Sequence, residues 1–118
     1  MPKRILLVED DPLTRKHLGV FLREEGYEVN EAKDGAEALD LLNELRFDLV
    51  LSDVRMPRVD GIAVVSHLRS ISPQTPSVLM TAYPDDAIGL SRIPTAILLT
   101  KPVLFPDLQA KIRHLLER

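Results

Sequence analysis

The sequence predicts an α/β fold, in which a doubly wound sheet of five parallel strands carries helices on both faces. Strand-like and helix-like patterns alternate along the chain as five consecutive βα units. Right-handed crossovers between parallel strands place helices on both sides of such a sheet. Four of the five strand-like segments are also continuously apolar, which is typical of strands covered on both faces.

The strand predictions rest on short apolar runs that are bounded by polar residues or turn signals. Residues 27–32 differ, because apolar and polar residues alternate there, as in an edge strand with one wet face. The other four runs are too short for helices and are expected in the interior of the sheet. They lie at residues 5–8, 49–51, 78–80 and 97–99.

Helices are predicted where apolar residues recur on one face of the segment. The first helix ends at Gly26, a residue that favours the position after a helix, and the second follows Asp34, with Glu37 completing a capping box. The fourth βα unit is the weakest, since its helix is short and lies between prolines. The predicted helices cover residues 13–25, 36–45, 61–70, 85–91 and 106–116.

Length and composition define one globular domain, expected over residues 1–118 without a separate output domain. The chain has no cysteine, which excludes disulfides and thiolate metal sites. A net charge of -3 disfavours direct binding of nucleic acid. No apolar run approaches the roughly 20 residues that cross a membrane, and the N-terminus does not resemble a signal peptide. We therefore expect a cytoplasmic protein.

Polar side chains follow four of the predicted strands. They are Asp10 and Asp11 after the first strand, Asp53 after the third, Thr81 after the fourth and Lys101 after the fifth. The carboxyl ends of parallel strands meet at one edge of a sheet, which is where ligands bind. We therefore expect these five side chains to form one pocket.

Three carboxylates in that pocket require a counter-charge. Two like charges 4 Å apart repel by about 4 kcal/mol at an effective dielectric constant near 20. Oxygen-only ligands favour Mg²⁺, with Mn²⁺ as the alternative. The expected ligands are Asp10 (partly through water), Asp11, Asp53 and the backbone carbonyl of Arg55. A simpler alternative is that the acidic pair only caps the helix that begins near Pro12.

The same pocket suits phosphoryl transfer. A loop containing Pro57 and Gly61 is expected to leave Asp53 exposed at the strand tip, where a carboxylate beside a metal can attack phosphorus. Phosphoryl transfer depends on positioning and on cations near the phosphoryl oxygens. Lys101 and the Thr81 hydroxyl would supply two such contacts. The peptide bond after Lys101 precedes a proline and is a candidate for the cis form.

Together these motifs resemble the receiver domain of two-component response regulators, of the single-domain chemotaxis type. The resemblance covers essentially the whole chain. It rests on Val8-Glu9-Asp10-Asp11, Asp53-x-x-Met56-Pro57-x-x-Asp60-Gly61, Thr81-Ala82 and Lys101-Pro102. It implies a flavodoxin-like fold and a phosphorylation-controlled switch that acts on a partner, an output domain or a dimer.

The resemblance also implies roles for the site residues. Asp53 would accept a phosphoryl group from a phosphohistidine of a sensor histidine kinase or a phosphotransfer protein, with Mg²⁺ held by Asp10 and Asp11. Thr81 would be the switch hydroxyl and Lys101 the phosphate-binding cation. Such a domain is not an enzyme acting on a separate substrate, but it helps to catalyse its own phosphorylation and its slow dephosphorylation.

The chain departs from the family pattern at Leu98, where an aromatic residue is common, so the usual threonine–aromatic switch cannot operate as such. The alternative function is a degenerate receiver that acts as a phosphorylation-independent interaction domain. A flavin- or nucleotide-binding module is rejected, because acids replace its phosphate-binding loop. A haloacid-dehalogenase-like phosphatase is disfavoured, because it needs a second acid two residues after its nucleophile, and Arg55 stands at that position. Partner contacts are expected on residues 83–94 and the last helix.

Overall fold

In the computed structural model, which describes residues 1–117, five parallel strands form one sheet in the order β2-β1-β3-β4-β5. The strands are β1 (Arg4–Val8), β2 (Glu28–Ala32), β3 (Leu49–Asp53), β4 (Ser77–Thr81) and β5 (Ala96–Thr100). The chain order reverses between β1 and β3, as in a doubly wound sheet. The predicted fold class is confirmed.

Four α-helices connect or follow the strands: α1 (Pro12–Glu24), α2 (Gly35–Glu44), α3 (Gly61–Ile71) and α4 (Phe105–Leu116). Aspartate side chains cap the first three of these helices. Asp11, Asp34 and Asp60 each accept a hydrogen bond from the backbone N–H three residues later. Aspartate suits this position because its carboxylate satisfies an amide that the helix leaves free.

The segment between β4 and β5 is a 3-10 helix, Pro84–Leu90, rather than an α-helix. The sequence predicts a short helix there, over residues 85–91, and its hydrogen-bonding pattern differs from that of the other helices. Prolines at positions 84 and 94 confine it, and 3-10 geometry is typical of such short pieces.

Successive strand residues point to opposite faces of the sheet, and both faces are covered. Burying a Leu or Ile side chain contributes about 1.5–3 kcal/mol, so the two layers supply most of the driving force for folding. On one face α1 and α4 cover Ile5, Leu7, Leu49, Leu51, Val78 and Met80 with Leu18, Leu22, Leu108 and Ile112. On the other face α2 and α3 cover Leu6, Val8 and Val50 with Ala38, Leu42, Val64 and Leu68.

The two edge strands differ in how well the sequence predicts them. The alternating segment is indeed the edge strand β2. The prediction that β5 lies inside the sheet is wrong, because it forms the opposite edge and its residues are only partly buried. It is nevertheless apolar because Ile97 and Leu99 pack on the α1–α4 side, while Leu98 packs beside Leu79 and Leu90 on the other side.

Candidate functional site

Three acidic side chains converge at the carboxyl edge of the sheet. One carboxylate oxygen from each of Glu9, Asp10 and Asp53 lies within 4.8 Å of the other two. Glu9 and Asp10 directly follow β1, and Asp53 is the last residue of β3, the neighbouring strand. The donor set consists entirely of carboxylate oxygens, which fits a hard divalent cation such as Mg²⁺.

Glu9 belongs to this acid cluster, although the sequence pattern does not predict it as a ligand. Its backbone N–H donates to the Ala32 carbonyl at 3.1 Å, so the strand pairing continues one residue past β1 and the side chain is buried. Burial, together with the neighbouring Asp53 carboxyl, raises the pKa of Glu9 to about 8. A raised pKa is expected of a carboxyl group that is buried beside another carboxyl group. The available signal was its position as the first acid after a buried strand.

Asp11 lies outside this acid cluster and caps α1. Its Oδ2 accepts hydrogen bonds from the Thr14 backbone N–H at 2.8 Å and from the Thr14 hydroxyl at 2.5 Å. These two bonds lower the pKa of Asp11. The structure therefore brings Glu9 and Asp10, rather than Asp10 and Asp11, beside Asp53. The capping alternative describes Asp11, while Asp10 lies where a metal ligand is expected.

Asp53 is buried, with 5% of its surface exposed, whereas the sequence predicts an exposed strand tip. The loop after β3 folds back over the strand end, because the Gly61 N–H donates to the Val54 carbonyl at 2.7 Å. A Cβ at position 61 would overlap the Asp53 carbonyl oxygen. Only glycine permits this close approach of the loop to the end of β3.

Lys101 provides a positive charge beside Asp53. Its Nζ lies 2.8 Å from Asp53 Oδ1, which is an ion-pair distance. That oxygen is buried and receives no aligned hydrogen bond from residues 1–117, so it has capacity for a further electropositive partner. Partial burial lowers the pKa of Lys101, but the carboxylates of Asp53, Glu9 and Asp10 outweigh this effect and raise it overall. The Lys101–Pro102 peptide bond is cis.

Thr81 lies at the end of β4 and is buried, but its hydroxyl is already engaged. It donates to Asp86 Oδ2 at 2.6 Å and accepts the Tyr83 backbone N–H at 3.1 Å. Asp86 in turn pairs with Arg55, with Nη2–Oδ1 at 3.0 Å and Nε–Oδ2 at 3.3 Å. The sequence gives no signal for this network, since Arg55 and Asp86 are 31 positions apart.

The arrangement as a whole can hold a cation and present one carboxylate to an electrophile. Acids from the ends of β1 and β3 face a lysine from the end of β5 and a threonine from the end of β4. The sequence-predicted residues Asp10, Asp53 and Lys101 come together, Thr81 lies at the same edge, and Asp11 points to α1. The backbone of Arg55 lies two residues beyond Asp53.

Comparison with known proteins identifies the family. The model of the response regulator receiver domain matches residues 5–113, and the chain belongs to that family. The Escherichia coli transcriptional regulatory protein GlrR is 40% identical over 104 residues, which cover 86% of this chain and 23% of GlrR. The chain therefore spans 23% of the length of GlrR, and it spans 52% of the Mycobacterium response regulator MprA, which is 40% identical over 120 residues.

Solved structures agree with the family assignment. The Vibrio cholerae chemotaxis protein CheY4 superposes with a TM-score of 0.89 at 29% identity, covering 98% of this chain and 99% of CheY4. The Thermotoga maritima response regulator TrrA superposes with a TM-score of 0.82 at 32% identity, covering 96% and 98% of the two chains. The TrrA structure is a complex with Mg²⁺ and a beryllium fluoride group.

The chain is therefore a receiver domain of a two-component response regulator. The comparisons give no support to the alternative of a phosphorylation-independent interaction domain. Among residues 1–117, no helix is both long enough and apolar enough to cross a membrane.

Proposed function

We propose that Asp53 is the phosphoacceptor, and that the donor is a phosphohistidine of a sensor histidine kinase or a phosphotransfer protein. The observation that supports this assignment most strongly is the position of Asp53 Oδ1. This buried oxygen lies 2.8 Å from Lys101 Nζ and belongs to a carboxylate in the three-acid cluster. A carboxylate placed between a lysine and a cation site is suited to nucleophilic attack on phosphorus.

In the proposed step a carboxylate oxygen of Asp53 bonds to phosphorus as the phosphorus–nitrogen bond to histidine breaks. The bonding electrons leave with the imidazole, and Asp53 becomes an acyl phosphate. Lys101 is placed to contact one phosphoryl oxygen, and the Thr81 hydroxyl to contact another once it is free. These contacts stabilise the charge on the transferring group. The same residues would support self-catalysed phosphorylation and slow autodephosphorylation.

The metal that fits the acid cluster is Mg²⁺, with Mn²⁺ as an alternative. We propose that Glu9, Asp10 and Asp53 hold it together with the backbone carbonyl of Arg55. The sequence also predicts Asp11 as a ligand, but the hydrogen bonds from Thr14 to its carboxylate favour Glu9 in that role. A bound Mg²⁺ supplies positive charge that offsets the carboxylates and one phosphoryl oxygen.

The proposed output is a change on the face formed by residues 83–94 and α4, which would contact a partner, an output domain or a second copy. Large apolar side chains are exposed there, with Tyr83 at 54% and Ile88 at 76%. Phosphorylation adds about two negative charges at Asp53 and so biases two arrangements of this face. We further propose that residues 1–118 form one domain that acts in the cytoplasm without binding nucleic acid directly.

Intact-mass measurement after incubation with acetyl phosphate tests this function. We expect wild-type protein to gain the mass of one phosphoryl group when Mg²⁺ is present and none when it is chelated. Asp53→Asn should gain none, because an amide is not a nucleophile of this kind. Asp85→Asn is the matched control, since Asp85 is exposed, and it should label like wild type. Labelling that persists in Asp53→Asn or under chelation refutes the assignment.

A further inference from the structure

The Thr81 hydroxyl is bound by a carboxylate in this structure. A hydroxyl carries one proton to donate, and the Thr81 proton is directed at Asp86 Oδ2, 2.6 Å away. The lone pairs of the same oxygen receive the Tyr83 backbone N–H at 3.1 Å. Thr81 therefore cannot donate to a second acceptor while this hydrogen bond lasts.

Asp86 is itself held in place by Arg55. The guanidinium approaches both carboxylate oxygens, at 3.0 Å and 3.3 Å, and charge-assisted two-point pairs of this kind are among the stronger hydrogen-bonded contacts. The carbon at the centre of the guanidinium lies 4.1 Å from the centroid of the Tyr83 ring, so the ring covers one face of the guanidinium. We name Arg55, Thr81, Tyr83 and Asp86 the clasp.

The clasp joins three parts of the molecule. Arg55 lies in the loop after β3, two residues from Asp53, and Thr81 ends β4. Asp86 belongs to the 3-10 helix Pro84–Leu90, whose Ile88 side chain is largely exposed. The clasp thus connects the 3-10 helix, which carries the exposed Ile88, to the end of β4, the strand next to β3 and Asp53.

We propose that Asp86 is a positioning residue that holds the Thr81 hydroxyl in the unphosphorylated protein, and that phosphorylation of Asp53 must break this hydrogen bond. This inference rests on the proposed phosphorylation of Asp53. The phosphoryl group brings about three new acceptor oxygens and about two negative charges. The Thr81 hydroxyl then donates to a phosphoryl oxygen, and Asp86 remains paired with Arg55 alone.

The clasp explains how phosphorylation of Asp53 can change the exposed face without an aromatic residue at position 98. Leu98 packs against the buried cluster that contains Leu79 and Leu90. The clasp instead couples the acceptor to the 3-10 helix through a polar contact. The Thr81 hydroxyl then has two arrangements, bonded to Asp86 or bonded to the phosphoryl group. Each arrangement favours a different position of the 3-10 helix that carries Ile88.

The test compares the steady-state labelled fraction of variants at low acetyl phosphate with Mg²⁺ present. Asp86→Ala removes the competing acceptor, and we expect the ratio of labelled to unlabelled protein to rise about 3- to 10-fold. Asp86→Asn keeps an acceptor oxygen and should shift the ratio less. Asp85→Ala, which makes the same charge change in the same turn, should leave it unchanged.

A second pair of variants separates positioning from a general structural effect. In a Thr81→Ala background, Asp86→Ala should no longer change the ratio, because the hydroxyl that Asp86 holds is absent. The inference is overturned if Asp86→Ala behaves like Asp85→Ala, or if its effect is the same with and without Thr81. Absence of labelling on wild-type Asp53 would instead overturn the proposed function, and the clasp with it.

Discussion

Glu9 and Asp11 have the same charge and lie two positions apart, yet their surroundings give them opposite properties. Glu9 has 1% of its surface exposed beside two other carboxylates, and its pKa rises from 4.5 to about 8. Asp11 is exposed, accepts two hydrogen bonds from Thr14, and its pKa falls. Burial and partners, rather than residue type, therefore separate the group that needs a counter-charge from the group that caps a helix.

The raised pKa of Glu9 predicts a pH-dependent stability in the presence of a chelator. Between pH 4.5 and about 8 the folded protein binds a proton that the unfolded chain has released. The free energy of unfolding therefore falls as the pH rises through this window, by at most about 1.4 kcal/mol per pH unit from this residue. Urea denaturation across the window should show a flatter profile for Glu9→Gln.

Glu44→Gln is the control for that series, because Glu44 is an exposed acid on α2. Its profile should match that of wild type. Equal slopes for Glu9→Gln and Glu44→Gln would show that Glu9 is not protonated in the folded state at neutral pH.

At the level of secondary structure, the helices that are best predicted from sequence are those with local start signals. Asp34 precedes α2 and accepts the Glu37 N–H at 2.8 Å, as the capping pattern predicts. The 3-10 helix carries no side-chain cap, and it is held by flanking prolines and by the pairing of Asp86 with Arg55, 31 positions away. Local rules therefore predict α2 well and the 3-10 helix only as a short helical segment.

The cap of α2 gives a stability prediction that is separate from the chemistry. Asp34→Ala removes the acceptor for the Glu37 N–H and should lower the free energy of unfolding by about 1 kcal/mol. Labelling of Asp53 should persist, since Asp34 belongs neither to the acid cluster nor to the ion pair between Lys101 and Asp53. Urea denaturation measures the loss, and Asp40→Ala, on the exposed side of the same helix, should lose much less. Equal losses for the two variants would contradict the capping role.

For the whole molecule, sequence predicts the fold class, the parallel sheet and the edge at which Asp10, Asp53 and Lys101 meet. These follow from apolar strands and from the rule that parallel strands share a carboxyl edge. The Glu9 contribution and the pairing of Asp86 with Arg55 do not follow, because they depend on burial and on contacts between segments distant in sequence. The edge position of β5 was missed for a similar reason: an apolar run does not reveal whether a strand has one neighbour or two.

The proposed Mg²⁺ site at the acid cluster predicts that the stability of the whole domain depends on Mg²⁺. At a concentration 100 times the dissociation constant, binding to the folded state alone raises the free energy of unfolding by about 2.7 kcal/mol. Thermal denaturation with Mg²⁺ and with chelator should show this increment in wild-type protein. Glu9→Gln and Asp10→Asn should each reduce it, because each removes a carboxylate from the cluster.

Asp11→Asn distinguishes the two ligand assignments. It should largely preserve the cap of α1, because asparagine caps helices about as well as aspartate, and it should also preserve the Mg²⁺-dependent increment. An increment lost in Asp11→Asn and kept in Glu9→Gln would favour the ligand set predicted from sequence.

The stacking of Arg55 on Tyr83 gives the domain an intrinsic optical reporter. The chain has no tryptophan and two tyrosines, so its near-ultraviolet emission comes from Tyr27 and Tyr83. Tyr27 adjoins the start of β2, at the amino end of that strand, whereas the Tyr83 ring faces the Arg55 guanidinium, whose partner Asp86 accepts the Thr81 hydroxyl. Without an added fluorophore, tyrosine fluorescence can therefore report a rearrangement beside Asp53. The Tyr27→Phe variant isolates the signal of Tyr83.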